Sequence, residues 1–205
     1  MPATRERFDE LCSRIATLSA ESVEEAWTLL EEAYSEQHRH YHNFDHVSTL
    51  LKDYDEVGGG NLAIEFAIWF HDIVYDPKSG TNEEDSAALF DKWSADFLES
   101  KFRSDVTRLI RATDPRQSRT DLPDETLLCD LDLLVLSANP EIYQQYVKNI
   151  RKEYHFVPEE KFREGRSRIL EDFLKGKIYR SDHFSPREEL ARENLNSELA
   201  GLNPD

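Results

Sequence analysis

The sequence predicts an all-α fold, and three observations carry that prediction. Apolar residues recur at three- and four-residue spacing along nearly the whole chain. Glycine and proline are scarce, 7 and 8 in 205 residues, which favours long helices over many-turned β structure. Helix-start and helix-stop signals also fall between the periodic segments.

Taken in order, residues 5–18 read as a first helix with Phe8, Leu11, Ile15 and Leu18 on one face. Ser19 or Ser22 can cap a second that runs to about Tyr34. Asn43 can cap a third, with Phe44, Val47, Leu50, Leu51 and Tyr54 on one stripe and Gly58–Gly60 ending it. Residues 61–72 form a nearly all-apolar helix. Thr81 and Glu84 match a capping box that opens a helix to about Glu99. Further helices are expected at 103–112, 124–137, 140–153, 158–175 and 186–200, with 113–123 the longest loop. The expectation is one domain over 1–205, a bundle of about 9–10 helices. Its core would span about 25–175, with the 186–200 helix packed on it.

Composition bounds the function. Hydrophobic residues make up 39% and aromatics 11% of the chain, enough for a packed core. The formal net charge of −17 repels phosphate backbones, so no nucleic-acid partner is expected. A small phosphorylated substrate remains compatible if a metal or a local cationic cluster offsets that charge. Cys12 and Cys129 form neither a disulfide framework nor a zinc-site spacing. With no signal-peptide core and no apolar run of the ~18 residues a span needs, a cytoplasmic protein with no membrane partner is expected.

Three stretches carry candidate chemistry. In "LAIEFAIWFHDIV" (62–74) only Glu65, His71 and Asp72 interrupt the apolar pattern. A helix apolar all round is buried, and a buried carboxylate needs a hydrogen bond, a cation or a metal. In "QHRHYHNFDH" (37–46), His46 lies roughly 40° round the helix from Leu50 and leans to the buried side. His42 precedes the cap and can face the same space, whereas His38 and His40 suit the surface. In "ETLLCDLDLLVLS" (125–137), Asp130 and Asp132 break an apolar run. On a helix they point roughly 200° apart, so one of them can enter a given site, whereas on a strand, which a run this short also allows, both would share one face. Two imidazoles and two carboxylates, His46, His71, Asp72 and an aspartate from that run, suit a divalent transition metal with positions left for water and substrate.

The order His … His-Asp … Asp resembles the HD superfamily of metal-dependent phosphohydrolases, an all-α fold. "YHNFDH" is similar to the "HNxxH" motif of cyclic-nucleotide phosphodiesterases. "WFHDIVYDP…TNEEDSAALF", "DLDLLVL" and "IRKEYHFVPEEKFREGR" are similar to a branch of predicted HD-type phosphohydrolases, so the resemblance covers roughly residues 25–200. It implies His46, His71, Asp72 and Asp132 as ligands of one divalent ion (Mn, Mg, Co, Ni, Zn or Fe). Asp132 is preferred to Asp130 because the "DL" at 132–133 is similar to the phosphodiesterase "DLS". His42 would protonate the leaving oxygen, and Asp72, Glu83 or Glu84 would assist as bases. Arg39, Asn43, Lys148, Arg151 and Arg166 are the expected substrate-binding residues. No histidine lies between Asp72 and Asp132, and "DPRQS" stands where one is expected after "IRAT", so a single metal is expected. The implied activity is hydrolysis of a nucleotide or other small phosphate ester. Two alternatives are a non-catalytic metal-binding or regulatory protein and, ranked lower, an HD-type iron oxygenase.

Overall fold

Helix-forming periodicity and its cap residues set nearly every element of this chain. The computed structural model describes residues 3–118 and 120–202. Among them are ten α-helices and no strand: α1 (Arg5–Ser13), α2 (Ala20–Tyr34), α3 (Phe44–Glu56), α4 (Leu62–Phe70), α5 (Asn82–Ser94), α6 (Ser100–Ala112), α7 (Pro123–Asp132), α8 (Pro140–Glu153), α9 (Glu159–Lys175) and α10 (Glu188–Leu202). Short 3-10 turns cover Leu133–Ser137 and Ser185–Arg187. Among the described residues, no helix is long and apolar enough to cross a membrane.

The predicted caps hold at two helices and fail at a third. Ser19 accepts the Ser22 amide and Asn43 accepts the Asp45 amide, so α2 and α3 start where the sequence indicated. Thr81 does stand at the N-cap of α5, but the capping box does not form. Its hydroxyl donates to Asp85 (2.8 Å), and Glu84 reaches across to Arg111 instead. Three predicted ends also move inward. The first helix stops at Ser13, α4 stops at Phe70 with His71 as its C-cap, and α5 stops at Ser94. The 124–137 segment divides into α7 and a 3-10 turn.

The chain divides into two compact units, residues up to Leu128 and residues from Cys129 onward. In the first, α4 is buried from Ala63 to Phe70, as its sequence requires. It packs against α3, α5 and α6, and α5 packs on α6. The core is strongly aromatic: Phe70 stacks on Trp93 and meets Phe90 edge-on, and Phe8 meets Trp69 edge-on. Several of its buried polar groups find partners, although the Trp69 indole Nε1 has none among the described residues. Tyr34 donates to the Trp69 carbonyl (2.9 Å), and Trp93 donates to the Ser22 carbonyl (3.1 Å). Glu65, the carboxylate that breaks the α4 pattern, accepts from Arg7 Nε and Nη2. A tight turn joins α3 to α4, with Gly58, Gly59 and Gly60 all at positive φ, where residues with a Cβ are strained. Tyr54 closes it, donating to the Asn61 carbonyl and accepting the Asn61 amide. The two helices therefore run antiparallel, and the start of α3 lies beside the end of α4.

In the second unit, α10 packs on α9 and on the Leu133–Ser137 turn. Asn194 donates to the carbonyls of Leu136 and Ala138. Asp130 is fully buried and accepts the backbone amides of Arg180 (2.9 Å) and Ser181 (2.7 Å). Arg166 pairs with Glu198, which also accepts from Tyr143.

Candidate functional site

The antiparallel α3–α4 pair brings two segments of the sequence to one place. Asn43 caps α3, which puts His46 in its first turn, facing inward at 3% exposure. His71 follows the last residue of α4 and is 1% exposed. Its Nδ1 lies 2.9 Å from the Ile68 carbonyl oxygen. A carbonyl can only accept, so Nδ1 donates this bond and Nε2 is the nitrogen turned toward His46 and Asp72. That Nε2 lies 3.2 Å from His46 Nε2 and 3.1 Å from Asp72 Oδ2. His46 Nε2 and Asp72 Oδ2 are 3.7 Å apart.

This donor set fits a divalent ion. Ligand atoms bound to one ion at about 2.1 Å lie roughly 3.0–3.4 Å apart in octahedral or tetrahedral arrangements. Two of the three separations, 3.1 and 3.2 Å, fall in that range, and the third, 3.7 Å, lies just beyond it. Two imidazole nitrogens and a carboxylate oxygen also suit first-row transition metals. The Ile68 carbonyl supplies the outer hydrogen bond that fixes the tautomer and ring orientation of a ligating histidine.

Charge is arranged around these atoms. Burial pushes the Asp72 carboxyl up, but His71, with contributions from His42 and His46, outweighs it and holds Asp72 well below the usual carboxylate range. Glu83 is raised: burial pushes its carboxyl up, the negative charges of Asp114 and Asp72 add to the rise, and a backbone hydrogen bond and the Arg116 charge offset only part of it. Arg116 lies 3.5 Å from Glu83 and forks onto Asp114 (2.8 and 3.0 Å). The first unit therefore presents one ionised carboxylate at its histidines and one carboxyl raised in pKa nearby.

The expected residues fall into three groups. His46, His71 and Asp72 converge. His42 joins them, stacked on Tyr75 at 4.3 Å between centroids and edge-on to His46 at 5.8 Å. Glu83 is half-buried and senses Asp72, whereas Glu84 is 58% exposed and forks onto Arg111. Two residues expected to meet substrate have other partners in this unit. Asn43 caps α3 with its side chain. Arg39 turns its guanidinium to backbone carbonyl oxygens.

The rest stand in the second unit. Asp132 is the half-buried last residue of α7 and Lys148 is exposed on α8. Arg151 bonds Glu159 and the carbonyls of Tyr154 and Val157, and Arg166 pairs with Glu198 and Tyr146. His38, expected at the surface, lies 2.9 Å from the Tyr75 carbonyl oxygen and is only half-buried.

Tyr75 and Arg116 carry no signal in the sequence that marks them for this site. Tyr75 lies in the same run as His71, and an aromatic three to four residues beyond a histidine is too common to single out. Comparison with known protein families, with curated proteins and with solved structures finds no match to this chain.

Proposed function

We propose that this protein is a metal-dependent phosphohydrolase, acting in the cytoplasm on a nucleotide or other small phosphate ester. One observation carries the reading: His46 Nε2, His71 Nε2 and Asp72 Oδ2 converge within 3.7 Å at the buried end of the α3–α4 pair. These three would hold one divalent ion, the single metal that the His … His-Asp … Asp order implies. When bound, such an ion supplies positive charge that polarises a phosphoryl group and lowers the pKa of water.

The chain's own residues do the remaining work. Asp72 stays ionised at neutral pH, so it contributes charge rather than a proton. Glu83, whose carboxyl is raised, accepts the proton of the attacking water as the new P–O bond forms. The bond to the departing oxygen breaks as His42 donates a proton to that oxygen. Stacking on Tyr75 holds the His42 ring for this transfer. The buried rings of His46, His71 and Tyr75 limit the water around the phosphoryl group, which strengthens every charge interaction there.

The test is phosphate release from a panel of nucleotides and small phosphate esters, with Mn, Co, Ni, Mg and Zn supplied in turn. Wild type should release phosphate only with metal, and Asp72→Ala should release none while keeping its helical circular dichroism. Equal release by both proteins, or none by wild type across the panel, would remove the reading.

A further inference from the structure

Arg39 sits at the junction of the two segments that carry the site. Its side chain is only 1% exposed. Nε donates to Glu36 (2.8 Å), Nη1 to the carbonyls of His42 (3.2 Å) and Asp72 (2.5 Å), and Nη2 to the carbonyl of Ile73 (3.0 Å). The guanidinium also lies over the rings of Tyr34 and Tyr75, 5.2 and 5.4 Å from their centroids. A guanidinium has five N–H groups. Those four bonds leave little with which to meet a phosphate, and the burial leaves no path to one.

We infer that Arg39 is a positioning residue: it ties the segment that carries His42 to the turn that carries His71 and Asp72, and so sets the distance from proton donor to ligand centre. The inference rests on the roles proposed above for those residues. Three features support it over a packing role alone. The bonded carbonyls belong to His42 and Asp72 themselves and to the next residue. The two segments lie 33 positions apart in sequence, so no helix holds them together. The ring that stacks on His42 is also the ring under Arg39. A planar fork reaches several acceptors in fixed directions, and a lysine ammonium is a point charge that cannot.

The experiment compares wild type, Arg39→Lys and Arg39→Ala by hydrogen exchange, by Mn²⁺ titration calorimetry, and by kinetics on p-nitrophenyl phosphate and its diester. Three amides report on the tie: Asn43 (bonded to the Tyr41 carbonyl), Ile73 (to the Phe70 carbonyl) and Val74 (to Ser86 Oγ). In both variants their exchange should quicken about tenfold or more while amides within α5 and α6 keep their rates. Mn²⁺ affinity should fall by roughly 10–100-fold, the range for outer partners of metal ligands. The turnover number kcat should fall by a similar factor with KM nearly constant, and free guanidinium should restore part of it in Arg39→Ala. A raised KM with unchanged exchange would make Arg39 a substrate cation and overturn the inference. Uniformly faster exchange through α1–α6, with Mn²⁺ affinity intact, would reduce it to a stabilising residue and overturn it too. If wild type neither binds Mn²⁺ nor hydrolyses either ester, the phosphohydrolase reading falls on its own. The exchange pattern then decides the tie: selective quickening upholds it, and unchanged exchange overturns it.

Discussion

Replacing Arg7 with alanine exposes how this fold tolerates a carboxylate inside its most apolar helix. Glu65 is 8% exposed and accepts two bonds from Arg7, which is itself 6% exposed. Arg7→Ala leaves Glu65 with Arg14, whose Nη1 is 3.6 Å away and whose side chain is 46% exposed. Removing one partner of a buried pair costs roughly 3–5 kcal/mol, because the other charge stays buried. Arg14 offsets part of that, which puts the expected loss near ~3 kcal/mol, a large share of the usual 5–15 kcal/mol. Asp55 adds little, because at 45% exposure water replaces its bonds to Arg7. The assay is urea unfolding followed by tryptophan emission. All three tryptophans, Trp27, Trp69 and Trp93, lie in the first unit, so the signal reports the unit that holds the pair. A double variant, Arg7→Leu with Glu65→Leu, removes both charges and should return to within about 1 kcal/mol of wild type. A loss below about 1 kcal/mol for Arg7→Ala would refute the reasoning, as would a double variant no more stable than the single one.

Three further predictions follow from other parts of the fold. Asp130→Ala should destabilise the second unit by roughly 2–4 kcal/mol, because the amides of Arg180 and Ser181 lose their acceptor, a loss that urea titration followed by circular dichroism measures. Asn43→Ala should cost about 1 kcal/mol through the lost α3 cap, while Asn43→Ser should recover most of it in the same urea titration. Burial raises the Asp124 carboxyl, but the bond and charge of Arg108 outweigh it and leave the folded value below the unfolded one of ~3.9. Its contribution is therefore present above the unfolded value and is lost as pH falls through the folded one, so Arg108→Ala should make the acid decline of the urea midpoint shallower between pH 5 and pH 3, and an unchanged slope would contradict this.

The helices were legible because burial imposes a period on the sequence, and α3 and α8 lie almost where that period puts them. Ends were less legible, since they depend on partners that periodicity does not encode. The end of α4 at Phe70 turns His71 and Asp72 out of the helix and lets both reach His46. The capping box of α5 failed because Arg111, 27 residues on, competes for Glu84. His46, His71 and Asp72 could be read as candidates because polar residues stand out in an apolar run. The sequence could not divide Asp130 from Asp132 by chemistry alone, and Asp130 turns out to bond amides 50 and 51 residues away. The bonds of Arg39 were hidden for a related reason. Its partners are backbone carbonyls, which every residue has and no sequence pattern announces.

The proposed chemistry depends on His46, His71 and Asp72 holding one divalent ion. Titration calorimetry of metal-free wild type, His46→Ala and His71→Ala with Mn²⁺ and Ni²⁺ tests it most directly. Wild type should bind one ion per chain. Each variant should lose affinity beyond the roughly 10–100-fold that outer partners cause, with helical circular dichroism preserved. A wild type that takes up neither ion, or variants that bind as tightly as wild type, would contradict it.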